Sequence, residues 1–205
     1  MDERLCKHAE EAIGFMPEEE GLALYEAGLR AGKVGPLLEI GSYCGKSAVY
    51  LGAAARERNT VVYSIDHHRG SEEQQPGETF HDPRLVDPST GVVDTLPFFR
   101  RTLSDAGLED VVIGIVGESG TVVQHWDTPL GLVFIDGGHS EEAARNDYAC
   151  WAPHVMHGGL LAIHDVFEDP EEGGRPPFLI FRQAVGSGSF KEVAHEGSLR
   201  VLERV

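Results

Sequence analysis

Two stretches of the chain bring glycine together with residues able to hold a ligand. "LLEIGSYCGKS" carries Glu39, Gly41, Ser42, Tyr43, Gly45 and Ser47, and "VVYSID" ends on Asp66, followed by His67. The first stretch nearly matches a triphosphate loop. Only Ser42, Tyr43 and Cys44 separate Gly41 from Gly45, however, one residue fewer than G-x-x-x-x-G-K-[ST] requires. Glycines permit a sharp turn and close backbone approach. A helix starting at the second glycine offers free N–H groups to a carboxylate or phosphate. An acid about 20 residues further on suits the two hydroxyls of a ribose, which donate to it, and Asp66 stands at that distance. The combination predicts an adenosine-type ligand. NAD would require G-x-G-x-x-G, but position 43 is tyrosine, and ATP would require the longer loop. Val133-Phe134-Ile135-Asp136 resembles the acid-ended strand of a nucleotidase, although an acid at the ribose position is not a P-loop feature.

These residues need a scaffold that brings strand ends together. Helices are predicted over 2–14 and from Pro17, where Glu18, Glu19 and Glu20 favour the positive helix end; Leu22, Tyr25 and Leu29 share one face and Gly32 is the stop. This N-terminal part, 1–34, would cap an edge or the mouth of a site. Apolar strands then alternate with helices: "PLLEIG", 46–57, "TVVYSID", 95–107, "VVIGIVG", 119–125, "LGLVFID", 140–153 and "GGLLAIHD". That alternation predicts a parallel sheet covered on both faces. The segment "FLIFRQAVGSG" reads as a helix, and "FKEVAHEGSLRVLERV" as a hairpin turning at Glu196-Gly197-Ser198. The expected fold is a single Rossmann-like α/β domain over 1–205, with a seven-stranded, mostly parallel sheet closed by an antiparallel hairpin. Residues 67–94 break the rhythm with many turn formers. A long loop leaving a strand's carboxyl end is placed to act as a lid over a site.

The ordered set of E-x-G-x-x-x-G loop, Asp66, "GES", "FIDGGH" and "HGGLLAIHD" resembles the class I S-adenosylmethionine-dependent methyltransferases. The resemblance implies that Glu39 lies near the methionine ammonium, with Gly41, Ser42, Tyr43, Gly45 and Ser47 forming the cofactor turn. It also implies that Asp66 and His67 lie at the ribose, Glu118 and Ser119 beside the adenine, and Asp136 near the reacting centre. The second half resembles the small metal-dependent O-methyltransferases of catechol and sugar-modifying type. These place one acid after the fourth strand and an acid pair after the fifth, here Asp136 and His164-Asp165. The implied ligand set for Mg²⁺ or Mn²⁺ is therefore Asp136, His164 and Asp165, with histidine shifting preference toward softer ions. His139 stands where catechol-type enzymes have a basic lysine, and an imidazole has a suitable pKa to take a hydroxyl proton. Asp136 and Asp165 can also be read as substrate-binding or helix-capping acids, and His139 as a helix-cap residue before Ser140.

For an aromatic wall the lid offers only Phe80, and its many polar side chains suit a saccharide or polyol hydroxyl better than a catechol. A phenolic or other natural-product acceptor is the alternative. An NAD-dependent oxidoreductase, or a non-catalytic protein that only binds S-adenosylmethionine, would belong to a different class. A net charge of −17 disfavours nucleic-acid partners. The chain contains no bilayer-length apolar run, and its start is too acidic and polar for a signal peptide, so a soluble, cytoplasmic protein is expected. The N-terminal helices and lid suggest a homodimer. Cys6, Cys44 and Cys150 form no C-x-x-C pair, and Cys44 reads as a tolerated loop residue. Asn146 and Asp147 read as solvated, and Trp151 as core.

Overall fold

The computed structural model describes residues 1–138, 140–169, 171 and 173–205. In chain order the elements are α1 (Glu3–Glu11), α2 (Glu18–Ala31), β1 (Leu37–Ile40), α3 (Lys46–Arg58), β2 (Val62–Asp66), α4 (Leu96–Ala106) and β3 (Val112–Val116). They continue with α5 (Ser119–Val122), β4 (Leu130–Ile135), α6 (Glu141–Trp151), β5 (Val155–Ile163), α7 (Arg175–Gly186), β6 (Phe190–Glu196) and β7 (Leu199–Arg204). The strands form one sheet in the order β3-β2-β1-β4-β5-β7-β6. β7 runs antiparallel to both β5 and β6, and the other pairs are parallel. This is the expected seven-stranded sheet with its closing hairpin. No helix among the described residues is long and apolar enough to cross a membrane.

Strand alternation feeds two cores. Leu37, Leu132 and Phe134 pack with Leu24, Tyr50 and Phe99 on one face of the sheet. Leu38, Ile40, Val133 and Ile135 pack with Trp151, Ile180 and Phe181 on the other. β1 and β4 are buried along their whole length, so their sequences are continuous apolar runs except at Glu39. The chain reverses its direction of travel across the sheet between β1 and β4. Such a switch point opens a crevice at the carboxyl ends of the strands, where α/β proteins bind ligands.

Several boundaries differ from the expected ones, each for a local reason. The first helix ends at Glu11 rather than 14, ahead of an irregular link through Gly14. Pro17 caps the second helix from outside. The buried face of α2 is Glu20, Gly21, Leu24, Tyr25, Ala27, Gly28 and Ala31, with Leu22 and Leu29 only partly buried. Small residues set this choice, because a Cβ on Gly28 would stand 2.8 Å from Ala54 Cβ, so α2 lies close against α3. The last helix starts at Arg175, earlier than expected, with prolines in its first turn, where no intrahelical N–H bond is lost. Within 67–94 the described structure is two short 3₁₀ turns, Glu72–Gln74 and Pro83–Leu85, and an isolated bridge between Val86 and Val93.

Candidate active site

The glycine turn leaves β1 at the switch point. Gly41 has φ +91°, and a Cβ there would collide with the carbonyl of Asp136, so the turn is tied closely to the end of β4. Gly45 has φ +92° and caps α3. Both positions favour glycine. Tyr43 between them also has positive φ, at 46°. Asp66 holds this shape: its Oδ2 accepts from the Tyr43 N–H at 2.7 Å and its Oδ1 from the His68 N–H at 2.7 Å. Each carboxylate oxygen keeps a further lone pair for a donor such as a hydroxyl. His67, next in the chain, is half-buried, and its Nδ1 accepts from the Arg69 N–H at 3.0 Å. The Ser42 hydroxyl is buried without a hydrogen-bond partner among the described residues. An orphan hydroxyl in such a turn fits a site that a ligand completes.

Glu39 behaves differently from the other turn residues. It is 0% exposed, and its two oxygens accept from Ser47 Oγ at 2.7 Å and Ser64 Oγ at 2.6 Å. Burial pushes its carboxyl up to about 7, against the lowering effect of the two serine bonds. As built, it braces the turn against β2 and exposes no surface to a ligand. Cys44 is buried, and burial pushes its thiol up to about 12, which leaves it unreactive.

At the ends of β4 and β5 the structure brings Asp136, His164 and Asp165 together, with one ligand-type atom from each lying within 4.8 Å of the others. His164 Nδ1 lies 3.1 Å from Asp136 Oδ1 and 3.5 Å from Asp165 Oδ2. Its Nε2 meets Glu20 Oε2 at 2.5 Å. Burial disfavours the charged ring, but the Asp136 charge and the bonds to Asp136, Asp165 and Glu20 outweigh it and raise its pKa to about 12. Carboxyl groups thus face both ring nitrogens of His164 and favour its protonated form. Asp165 has a left-handed backbone, φ 55°, uncommon outside glycine and typical of functional sites. Glu20 also accepts from Ser198 N at 2.6 Å and Ser198 Oγ at 3.2 Å, which joins α2 to the β6–β7 turn.

The donor set fits a divalent cation on chemical grounds. Three carboxyl groups around one imidazolium leave acid in excess, and Asp136 and Asp165 are only half-buried. His164 Nδ1 can serve as a ligand once it gives up its proton, while Nε2–H stays on Glu20, as second partners commonly hold ligating histidines.

His139, read from sequence as the base, lies outside the described residues. Glu118 is exposed and caps α5, and Ser119 opens it. Ser119 Oγ donates to Asp147, which is 6% exposed. This corrects the expectation of a solvated Asp147. Sequence reasoning also missed Glu20, which reads as one of three acids complementing a helix end. The signal was its register: Glu20 shares the buried stripe with Leu24, Ala27 and Ala31. Asp147 likewise sits among Ala144, Tyr148 and Trp151.

A groove of about 630 Å³ runs between the α1–α2 link, the glycine turn and the lid, with Lys46, His81, Asp82 and Arg84 among its polar lining. Phe15, 62% exposed, stacks on Tyr43 at 5.9 Å and meets Phe80 edge-on at 5.3 Å. The link thus supplies an aromatic wall that the lid alone lacks.

Comparison with known proteins agrees with this architecture. Residues 38–166 match the model of a family described as a methyltransferase domain. The solved structure of the O-methyltransferase NovP is 15% identical, with TM-score 0.70, covering 98% of this chain and 95% of that one. An O-methyltransferase from Bacillus cereus in complex with SAH is 14% identical, with TM-score 0.63 and coverage of 100% and 92%. An rRNA methylase from Streptococcus thermophilus is 13% identical, with TM-score 0.61 and coverage of 93% and 99%. At these identities the likeness is one of fold. The chain belongs to the methyltransferase-domain family, as a class I enzyme of the S-adenosylmethionine-dependent kind.

Proposed function

We propose that the protein moves the methyl group of S-adenosylmethionine to a hydroxyl of a small polar acceptor, in the first place a saccharide, with a divalent cation assisting. The observation that carries this is the meeting of Asp136, His164 and Asp165, with the Asp136 backbone packed against Gly41 of the glycine turn. A hydroxyl arriving there lies between the methyl donor and a cluster of acids. In this reading Gly41, Ser42, Tyr43, Gly45 and Ser47 hold the methionine end of the cofactor, with Glu39 bracing the turn beneath it. Asp66 accepts from the ribose hydroxyls beside His67, and Glu118 and Ser119 flank the adenine. Asp136 and Asp165, with His164 Nδ1, would hold Mg²⁺ or Mn²⁺, which when bound supplies Lewis acidity that lowers the pKa of the acceptor hydroxyl. His139 takes the hydroxyl proton. As the C–O bond forms, the C–S bond breaks and S-adenosylhomocysteine leaves. The lid, 67–94, excludes water and keeps donor and acceptor aligned.

The groove supports the choice of acceptor. Its aromatic wall can take the flat face of a pyranose ring, and Asp82, His81 and Arg84 can engage its hydroxyls. The same wall of Phe15, Tyr43 and Phe80 favours a phenolic ring as the second reading. A net charge of −17 weighs against an RNA acceptor.

A methyl-transfer screen over methyl glycosides and catechols, with and without Mg²⁺ or Mn²⁺, tests both readings. Methylation of a glycoside that collapses in Phe15→Ala/Phe80→Ala supports the first. Turnover of catechols alone would replace the saccharide by the phenol. Absence of any S-adenosylhomocysteine binding would remove the reading altogether.

A further inference from the structure

Asp147 is a buried acid that ties two strand ends together. It stands on α6, its Oδ1 accepts the proton of Ser119 Oγ just beyond β3, and its Oδ2 faces Gly137 just beyond β4. A Cβ on Gly137 would come within 2.9 Å of that Oδ2, so a side chain there would press on the carboxyl. Burial pushes the Asp147 carboxyl up to about 6; the Ser119 bond opposes the shift and Glu118 adds to it. In the bond between Ser119 and Asp147 the hydroxyl donates and the carboxyl accepts.

A serine hydroxyl has one proton and two acceptor lone pairs. With its proton on Asp147, Ser119 Oγ keeps only its acceptor lone pairs for any further partner, on a half-exposed residue just beyond β3. The 6-amino group of adenine is a donor, whereas a 6-oxo purine presents an acceptor at that place. We propose that Asp147 is a positioning residue that fixes Ser119 as an obligate acceptor, and that the pair selects the adenine amino group of the cofactor against 6-oxo purines. The proposal rests on the placement of adenine at Ser119 given above.

Calorimetric titration of the full chain with S-adenosylhomocysteine and its 6-oxo counterpart, S-inosylhomocysteine, tests it. Wild type is expected to prefer the adenosyl ligand at least about tenfold, the worth of one well-made hydrogen bond. Ser119→Ala and Asp147→Ala are expected to bring the two affinities within about twofold of each other. Asp147→Asn, whose amide oxygen still accepts from Ser119, and Ser119→Thr keep most of the preference. A merely structural role for Asp147 would weaken both ligands equally and leave their ratio intact. Should Asp147→Ala fail to fold, Ser119→Ala decides, since Ser119 is half-exposed and outside the core. Tight adenosyl binding with a ratio near one in wild type, or a ratio unchanged in Ser119→Ala, overturns this inference while leaving the methyltransferase reading intact. Absent binding of either ligand overturns both.

Discussion

Glu39 has both oxygens on serine hydroxyls and no exposed surface, and its carboxyl is raised from 4.5 to about 7. The sign of its effect on stability follows from linkage. A raised pKa means that the folded state holds the proton more tightly, so this contribution is fully present below the unfolded pKa and is lost as pH rises through 7. The stability of wild type minus that of Glu39→Gln is therefore expected to fall by about 2 kcal/mol between pH 5.5 and pH 8. Urea unfolding of both proteins at the two pH values measures this, and a flat difference would refute the buried, strained carboxyl. Glu20 acts in the opposite sense. Burial resists its ionisation, but bonds from His164 and Ser198 hold its pKa below the usual value. Removing one partner of a buried pair leaves the other uncompensated, so Glu20→Ala is expected to cost about 3–5 kcal/mol, with Glu20→Gln milder. Equal stability of Glu20→Ala and wild type in urea melts would show that the pair is not buried as described. The sequence displayed every one of these residue types, but only register on a helix hinted that Glu20 and Asp147 turn inward.

At the level of elements, α2 depends on small residues. A Cβ on Gly21 would run into the Tyr50 ring, and Gly28 leaves no space beside Ala54. Gly21→Val is expected to lose about 1–3 kcal/mol by overpacking and to displace Glu20, its chain neighbour, from His164. Thermal unfolding would report the first effect and a shifted His164 ring resonance the second. Unchanged values in both would separate helix packing from the site. The strands were legible because both faces are covered and the runs are apolar. The start of α7 was less so, because Pro176 and Pro177 read as breakers until the first turn is seen to accommodate them. The lid's position after β2 could be read from turn residues, but its alliance with Phe15, far away in the chain, could not.

The candidate site residues gather at one switch point, at the ends of the neighbouring strands β1, β4 and β5. Its cluster has acid in excess, so activity is expected to drop at least about tenfold after EDTA treatment and return with Mg²⁺ or Mn²⁺. An unchanged rate in metal-free protein would remove the divalent cation from the proposed reaction. The sequence by itself determined the alternation of strands and helices, the closing hairpin and the ligand-type residues at strand ends. Those follow from local rules of periodicity, turn chemistry and strand polarity. Only the tertiary structure decided which acids are buried: Glu39 under the turn, Glu20 against His164 and Asp147 behind Ser119. Desolvation and partner distance depend on residues far apart in the chain, and no local pattern encodes them.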